Sequence, residues 1–135
     1  MQTGSFRRCA GLLGAVSISR GVPNFFRGPQ YKRVAPRWQM LKMTQEEYDH
    51  EFGLILEKLD PEEVYRDLTR LGGADPILLC WEKSNVRCHR RLVAEWLEKS
   101  LGIEITEYGF ERATVLPYSP PLPTKTVPKQ LELFS

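Results

Sequence analysis

The alternation of apolar and polar positions divides the chain into a short series of elements. Ala15-Val16-Ser17-Ile18-Ser19 mixes small and β-branched residues and predicts a buried first strand, closed by Arg20-Gly21-Val22-Pro23. A helix is expected from Thr44, with Glu47 three residues on as its capping-box partner. Tyr48, Phe52, Ile55, Leu56 and Leu59 fall on one face of it. Asp60-Pro61-Glu62-Glu63 starts a second helix, with Asp60 as N-cap, Pro61 in the first turn and Glu63 reaching back. Val64, Leu68 and Leu71 form its buried stripe and Gly72-Gly73 ends it. Pro76-Ile77-Leu78-Leu79-Cys80 is a continuous apolar run of the kind that fills a strand buried on both faces. Leu92, Val93, Trp96, Leu97 and Leu101 mark a third helix ending at Gly102, and Ile103-Glu104-Ile105-Thr106-Glu107 alternates as a last strand. Strand, helices, strand, helix, strand predicts right-handed crossovers and an α/β fold, a small three-layer domain with a mostly parallel sheet.

Two stretches stand apart. From Pro23 to Pro36 the chain is aromatic and basic (Phe25, Phe26, Arg27, Tyr31, Lys32, Arg33), and its prolines deny it a regular helix, so a lid or wall folded back on the domain is expected. Beyond Glu111 the composition shifts: five of the 10 prolines lie between Pro117 and Pro128. This predicts a domain over residues 1–112 and an extended, semi-stiff tail over 113–135. With 135 residues in all, the chain has room for one domain and such a tail.

Charge is spread unevenly. Eight basic and no acidic residues precede Glu46, which leaves 11 basic and 17 acidic residues for the rest. A basic front half suits an anionic partner such as a nucleotide, a nucleic acid or an acidic protein face, and equally suits a solvated surface facing acidic helices. No apolar run reaches the roughly 18 residues of a membrane span. The Arg-bearing, acid-free start shares its composition with a transit peptide, but the strand at 15–19 gives it a structural explanation. Three cysteines without framework spacing (Cys9, Cys80, Cys88) point to a reducing, cytoplasmic setting.

Candidate chemistry gathers between Cys80 and Arg91, where a buried strand hands over to a helix. In open α/β sheets ligands bind beyond the carboxyl ends of strands, and helix N-termini attract anions. Three readings compete. In the first, Arg87, Arg90 and Arg91 clamp an anion, Cys88 or Cys80 is a thiolate nucleophile, His89 carries a proton, and Glu82 orients it or binds a ribose hydroxyl. In the second, Cys80, Cys88, His89 and Glu82 hold a metal, although no CxxC pair is present. In the third, the cysteines are small core residues, His89 is a cap, and the arginines pair with Glu82 and Glu95. No cofactor follows from these residues.

Leu78-Leu79-Cys80-Trp81-Glu82-Lys83, Cys88-His89-Arg90-Arg91-Leu92-Val93-Ala94-Glu95-Trp96-Leu97 and Gly102-Ile103-Glu104-Ile105 resemble the C-terminal block of domain of unknown function family 488. Ser17-Ile18-Ser19-Arg20-Gly21-Val22-Pro23, with Gly28, Tyr31, Ala35 and Pro36, resembles the front of its short-form members, as does Leu59-Asp60-Pro61-Glu62-Glu63-Val64. The resemblance spans roughly residues 3–110. It implies a small α/β domain with a shared site of Cys80, Glu82, Cys88, His89, Arg90, Ser19, Arg20 and Tyr31, and no assigned reaction. The tail resembles something else. Gln130-Leu131-Glu132-Leu133-Phe134 is similar to the pentapeptide that binds the bacterial sliding clamp, in which Gln130, Leu131, Leu133 and Phe134 would enter an apolar groove. Together these imply a bacterial or phage protein that binds a phosphate-bearing ligand, nucleotide or DNA, and is tethered to the clamp for replication, repair or modification. The competing expectation is a non-catalytic protein that occupies the clamp or another partner.

Overall fold

A computed structural model describes residues 1–82 and 88–118. Its centre is a four-stranded, all-parallel sheet in the order β2-β3-β1-β4. The expected strands are present as β2 (Ala15–Ser17), β3 (Ile77–Cys80) and a shortened β4 (Thr106–Glu107). The fourth, β1 (Gln2–Ser5), has no apolar pattern, yet it lies between β3 and β4. Its polarity has a physical reason. The Thr3 hydroxyl donates to Glu107 at 2.5 Å and accepts from Arg91 at 2.8 Å, so this strand packs against a polar network rather than an apolar helix face. Gly4 completes the fit: a Cβ there would meet Cys9 Sγ at 2.7 Å, on the short helix α1 (Phe6–Cys9) that folds straight back over the strand.

The helices α2 (Gln45–Glu57), α3 (Pro61–Gly72) and α4 (His89–Leu101) build the main core. The cap at Thr44 is reciprocal: Thr44 Oγ1 accepts from Glu47 N at 3.2 Å, and Glu47 Oε1 accepts from Thr44 N at 3.0 Å. Asp60 caps α3 through Glu62 N at 3.0 Å; Glu63 does not reach back but faces Arg33 at 3.6 Å. Phe52, Leu56, Val64, Leu68, Val93, Ala94 and Leu97 close on Val16, Ile18 and Leu78 of the sheet, whereas Leu71 stays partly exposed. A smaller cluster covers the opposite sheet face, where Phe6 and Phe26 meet edge to face at 5.4 Å over Ile77 and Leu79. The aromatic loop therefore acts as a wall. It also runs along the outer edge of β2, where Ser17 N donates to Pro29 O at 2.9 Å and Tyr31 N to Ser17 O at 2.7 Å. An edge strand covered this way offers no open ladder to another chain.

Packing onto the domain continues past Arg112 as far as Tyr118. The Tyr118 ring is buried, its hydroxyl donates to Asp49 at 2.5 Å, and its backbone N–H donates to Glu95 at 2.5 Å. Among the described residues no helix is long and apolar enough to cross a membrane.

Candidate functional site

Beyond the carboxyl ends of β2 and β3 lies a cavity of about 600 Å³. Its position is that of ligand sites in open parallel sheets. Ser19 and Arg20 enter from the end of β2, Cys80 and Glu82 from the end of β3, and Cys88 and His89 from the start of α4. Six residues expected from the sequence thus share one wall system.

Cys88 is the N-cap of α4, with Sγ accepting from Arg90 N at 3.4 Å. The Cys80 and Cys88 sulfurs are joined as a disulfide, their Cα atoms 7.8 Å apart. So paired, neither sulfur is the expected thiolate nucleophile; that role needs the pair opened by a reductant. His89 is buried beside them. Its Nε2 lies 2.7 Å from the Ile18 carbonyl, and its ring meets Phe52 edge to face at 5.7 Å. A carbonyl only accepts, so Nε2 carries the proton and the neutral ring keeps a lone pair on Nδ1. Burial pushes the imidazole pKa down to about 4, with the Arg90 charge acting the same way against the Ile18 bond. His89 is therefore neutral at ordinary pH.

The arginines depart furthest from expectation. Arg90 is fully enclosed and is no clamp for an incoming anion. Its Nη2 donates to Glu107 Oε2 at 2.7 Å and its Nε to Oε1 at 3.2 Å. The remaining Nη1 points at the sulfurs, 3.0 Å from Cys80 and 3.2 Å from Cys88, and also donates to the Glu82 carbonyl at 3.0 Å. Arg91 is likewise buried away from the cavity, donating to Thr3 and to the Ile105 carbonyl at 3.0 Å. Its Nε and Nη2 have no hydrogen-bond partner among the described residues, and burial holds its pKa below the usual arginine value. Neither pairs with Glu82 or Glu95 carboxylates in the bonds described; helix periodicity turns both guanidiniums toward the sheet, where β4 supplies the counter-charge. Tyr31 is also placed elsewhere, with its hydroxyl on Asp67. Arg87 and the segment carrying Gln130, Leu131, Leu133 and Phe134 lie outside the described residues.

Arg20 serves the site through its architecture: Nε donates to the Pro36 carbonyl at 2.9 Å and Nη2 to Ala35 at 3.4 Å, pinning the loop that forms one rim. On that rim stand two residues the sequence reading left out, Trp38 and Trp81, 62% and 58% exposed. Both rest on Gly21. Trp81 Nε1 donates to the Gly21 carbonyl at 3.0 Å, and a Cβ on Gly21 would meet the Trp38 ring at 3.3 Å. Tyr48 and Tyr118 add aromatic lining. A signal was available for Trp81, which directly follows a strand end where side chains face the ligand crevice. Trp38 is brought in by the fold of a proline-flanked loop and has no local signature.

No protein-family model, curated protein or solved structure matches this chain. The class shown is that of a small α/β domain with an all-parallel sheet.

Proposed function

We propose that the cavity binds a nucleotide or the unpaired end of a DNA strand, and that the tail segment Gln130–Phe134 tethers the domain to a bacterial sliding clamp. The work would then concern DNA replication, repair or modification in the cytoplasm of a bacterium or of a phage-infected cell. The observation that carries the reading is the pair of exposed tryptophan rings at the mouth of a roughly 600 Å³ cavity. Exposed indoles cost solvation unless a partner covers them, and a nucleobase is a flat partner whose stacking is worth about 1–3 kcal/mol. The N-terminus of α4 and Arg20 supply the positive potential for a phosphate. The enclosure of Arg90 and Arg91 shifts the weight of recognition from guanidinium clamping to stacking.

Titration of full-length protein with mononucleotides and short single-stranded DNA, read by tryptophan fluorescence, tests the cavity. Quenching that saturates, and that is lost in Trp38→Ala, supports the reading; no quenching at millimolar ligand overturns it. The tether is tested separately by the affinity of the purified clamp for the full chain. A short apolar peptide motif gives an affinity of micromolar order, about −8 kcal/mol. Removal of Lys129–Ser135 abolishes it and leaves nucleotide binding intact; clamp binding that survives the deletion overturns the tether.

A further inference from the structure

The floor of the cavity holds a donor set that the nucleotide reading does not use. The sulfurs of Cys80 and Cys88 and a ring nitrogen of His89 lie within 4.8 Å of one another. We propose that, once a thiol or phosphine reductant has supplied two electrons to open the Cys80–Cys88 bond to two thiols, these three residues bind a thiophilic divalent metal, zinc in class, releasing the two thiol protons to solvent and leaving a fourth coordination position facing the cavity.

Three independent features converge on this. The first is ligand preparation. The His89 Nε2–H is committed to the Ile18 carbonyl at 2.7 Å in a buried position, which fixes the ring and leaves the lone pair on Nδ1 for ligation. Metal-binding histidines nearly always carry such an outward hydrogen bond. The second is backbone spacing. The Cys80 and Cys88 Cα atoms are 7.8 Å apart, wider than the roughly 4.4–6.8 Å typical across a direct disulfide. Two thiolates on one tetrahedral zinc, at about 2.3 Å each, hold their sulfurs about 3.8 Å apart and suit the wider backbone.

Charge balance is the third. Arg90 directs Nη1 to both sulfurs, but its positive charge is already matched by Glu107 within 2.7 Å. Two buried thiolates would add negative charge beside this pair, and a bound dication offsets it. Sulfur and imidazole ligands select zinc-like ions over magnesium or calcium. Three protein ligands with one side open is the pattern of a catalytic rather than a structural zinc, with water or a substrate oxygen in the remaining place.

The test uses the full chain, reduced anaerobically with a phosphine until all three thiols are titratable, then loaded with cobalt as a spectroscopic probe and with zinc in competition. One ion per chain is expected, with a thiolate-to-cobalt charge-transfer band and the intense visible absorption of a tetrahedral site, both removed by zinc. Cys80→Ser and Cys88→Ser each weaken zinc binding on the order of 100-fold, while Cys9→Ser, on the other face of the sheet, leaves it unchanged. X-ray absorption of the wild-type zinc form reports sulfur and nitrogen ligands directly, which keeps the histidine testable should His89→Gln fail to fold. A reduced, folded chain that takes up no stoichiometric zinc or cobalt overturns the proposal. Uptake that is indifferent to both serine variants, or a Cys80–Cys88 bond that resists reduction in the folded protein, does the same.

Discussion

Arg90 and Glu107 face each other at 2.7 Å with both side chains wholly shielded from solvent. The pair links the second residue of α4 to the last residue of β4, and Thr3 of the central strand donates to the same carboxylate. Burying the two charges costs desolvation that their attraction only roughly offsets, so the pair is no source of large net stability. Removing one partner is another matter. Arg90→Met or Glu107→Gln is expected to destabilise the fold by about 3–5 kcal/mol in urea unfolding, because a lone charge or an unmatched donor set is left behind. The double substitution Arg90→Met with Glu107→Leu recovers most of that loss, and a double mutant no more stable than the singles contradicts the account.

Tyr31 donates to Asp67 at 2.6 Å, beside Arg70 at 2.9 Å and Arg33 at 3.4 Å. Burial, then the bond to Asp67, push the phenol up to about 12 from its usual 10.0. A raised acid contributes stability below its unfolded value and loses it as pH climbs through the folded one, so the contribution fades between about pH 10 and about pH 12. The Tyr31 hydrogen bond, followed by Arg70 and Arg33, holds Asp67 below its ordinary 3.8, so its contribution is present above that value and is lost as pH falls through the lowered one. Tyr31→Phe should flatten the alkaline slope relative to wild type and reduce the acid-side contribution. At neutral pH it should cost about 1–2 kcal/mol, read by chemical denaturation. Tyr48, also raised to about 12 by burial, shares the alkaline window, so the difference between the two proteins is the quantity to measure.

Two glycines in helices predict opposite outcomes. At Gly72 a Cβ would strike Pro76 Cβ at 2.7 Å and both the Gly14 carbonyl and Val16 Cγ2 at 2.9 Å. Gly72→Ala should lose about 1–3 kcal/mol through overpacking where α3 meets the sheet. At Gly53, within α2, a Cβ meets nothing within 4 Å, and Gly53→Ala should gain up to about 1 kcal/mol from restricted unfolded-state entropy. Thermal melts of the two variants should move in opposite directions.

For the cavity, Trp38→Ala and Trp81→Ala should each weaken nucleotide or single-strand binding by about 5- to 150-fold, matching one lost stacking contact. Trp38→Phe should retain most of the affinity, since a smaller ring still stacks. Calorimetric titration at fixed salt decides it.

The helices and three of the four strands were legible because their signals are local. Thr44 and Glu47 complete a cap within four residues, and Ile77–Cys80 is apolar along its whole length. What escaped depends on partners far away in sequence. Gln2–Ser5 carries no apolar alternation to mark a strand, and it lies inside the sheet with Arg91 and Glu107 bonded to Thr3. Arg90 and Arg91 read as an anion clamp or as partners of Glu82 and Glu95, because nothing nearby in sequence announces that β4 brings Glu107 close to Arg90. At the site, the strand-to-helix loop directed attention to Cys80, Glu82, Cys88 and His89, and Ser19 and Arg20 entered through the family resemblance. Of the tryptophan rim only Trp81 carried a local signal, since the meeting of Trp38 and Trp81 over Gly21 is made by tertiary structure alone.

The placement of β1 also sets a timetable for assembly. Its ladder partners are Ile77–Cys80 on one side and Thr106–Glu107 on the other, and Thr3 meets Glu107 across 104 positions of chain. During synthesis the middle of the sheet leaves the ribosome first and waits for neighbours made near the end. Nascent chains halted before residue 107 should thus remain protease-sensitive, and refolding should be slow for so small a domain because its earliest segment closes its longest loops.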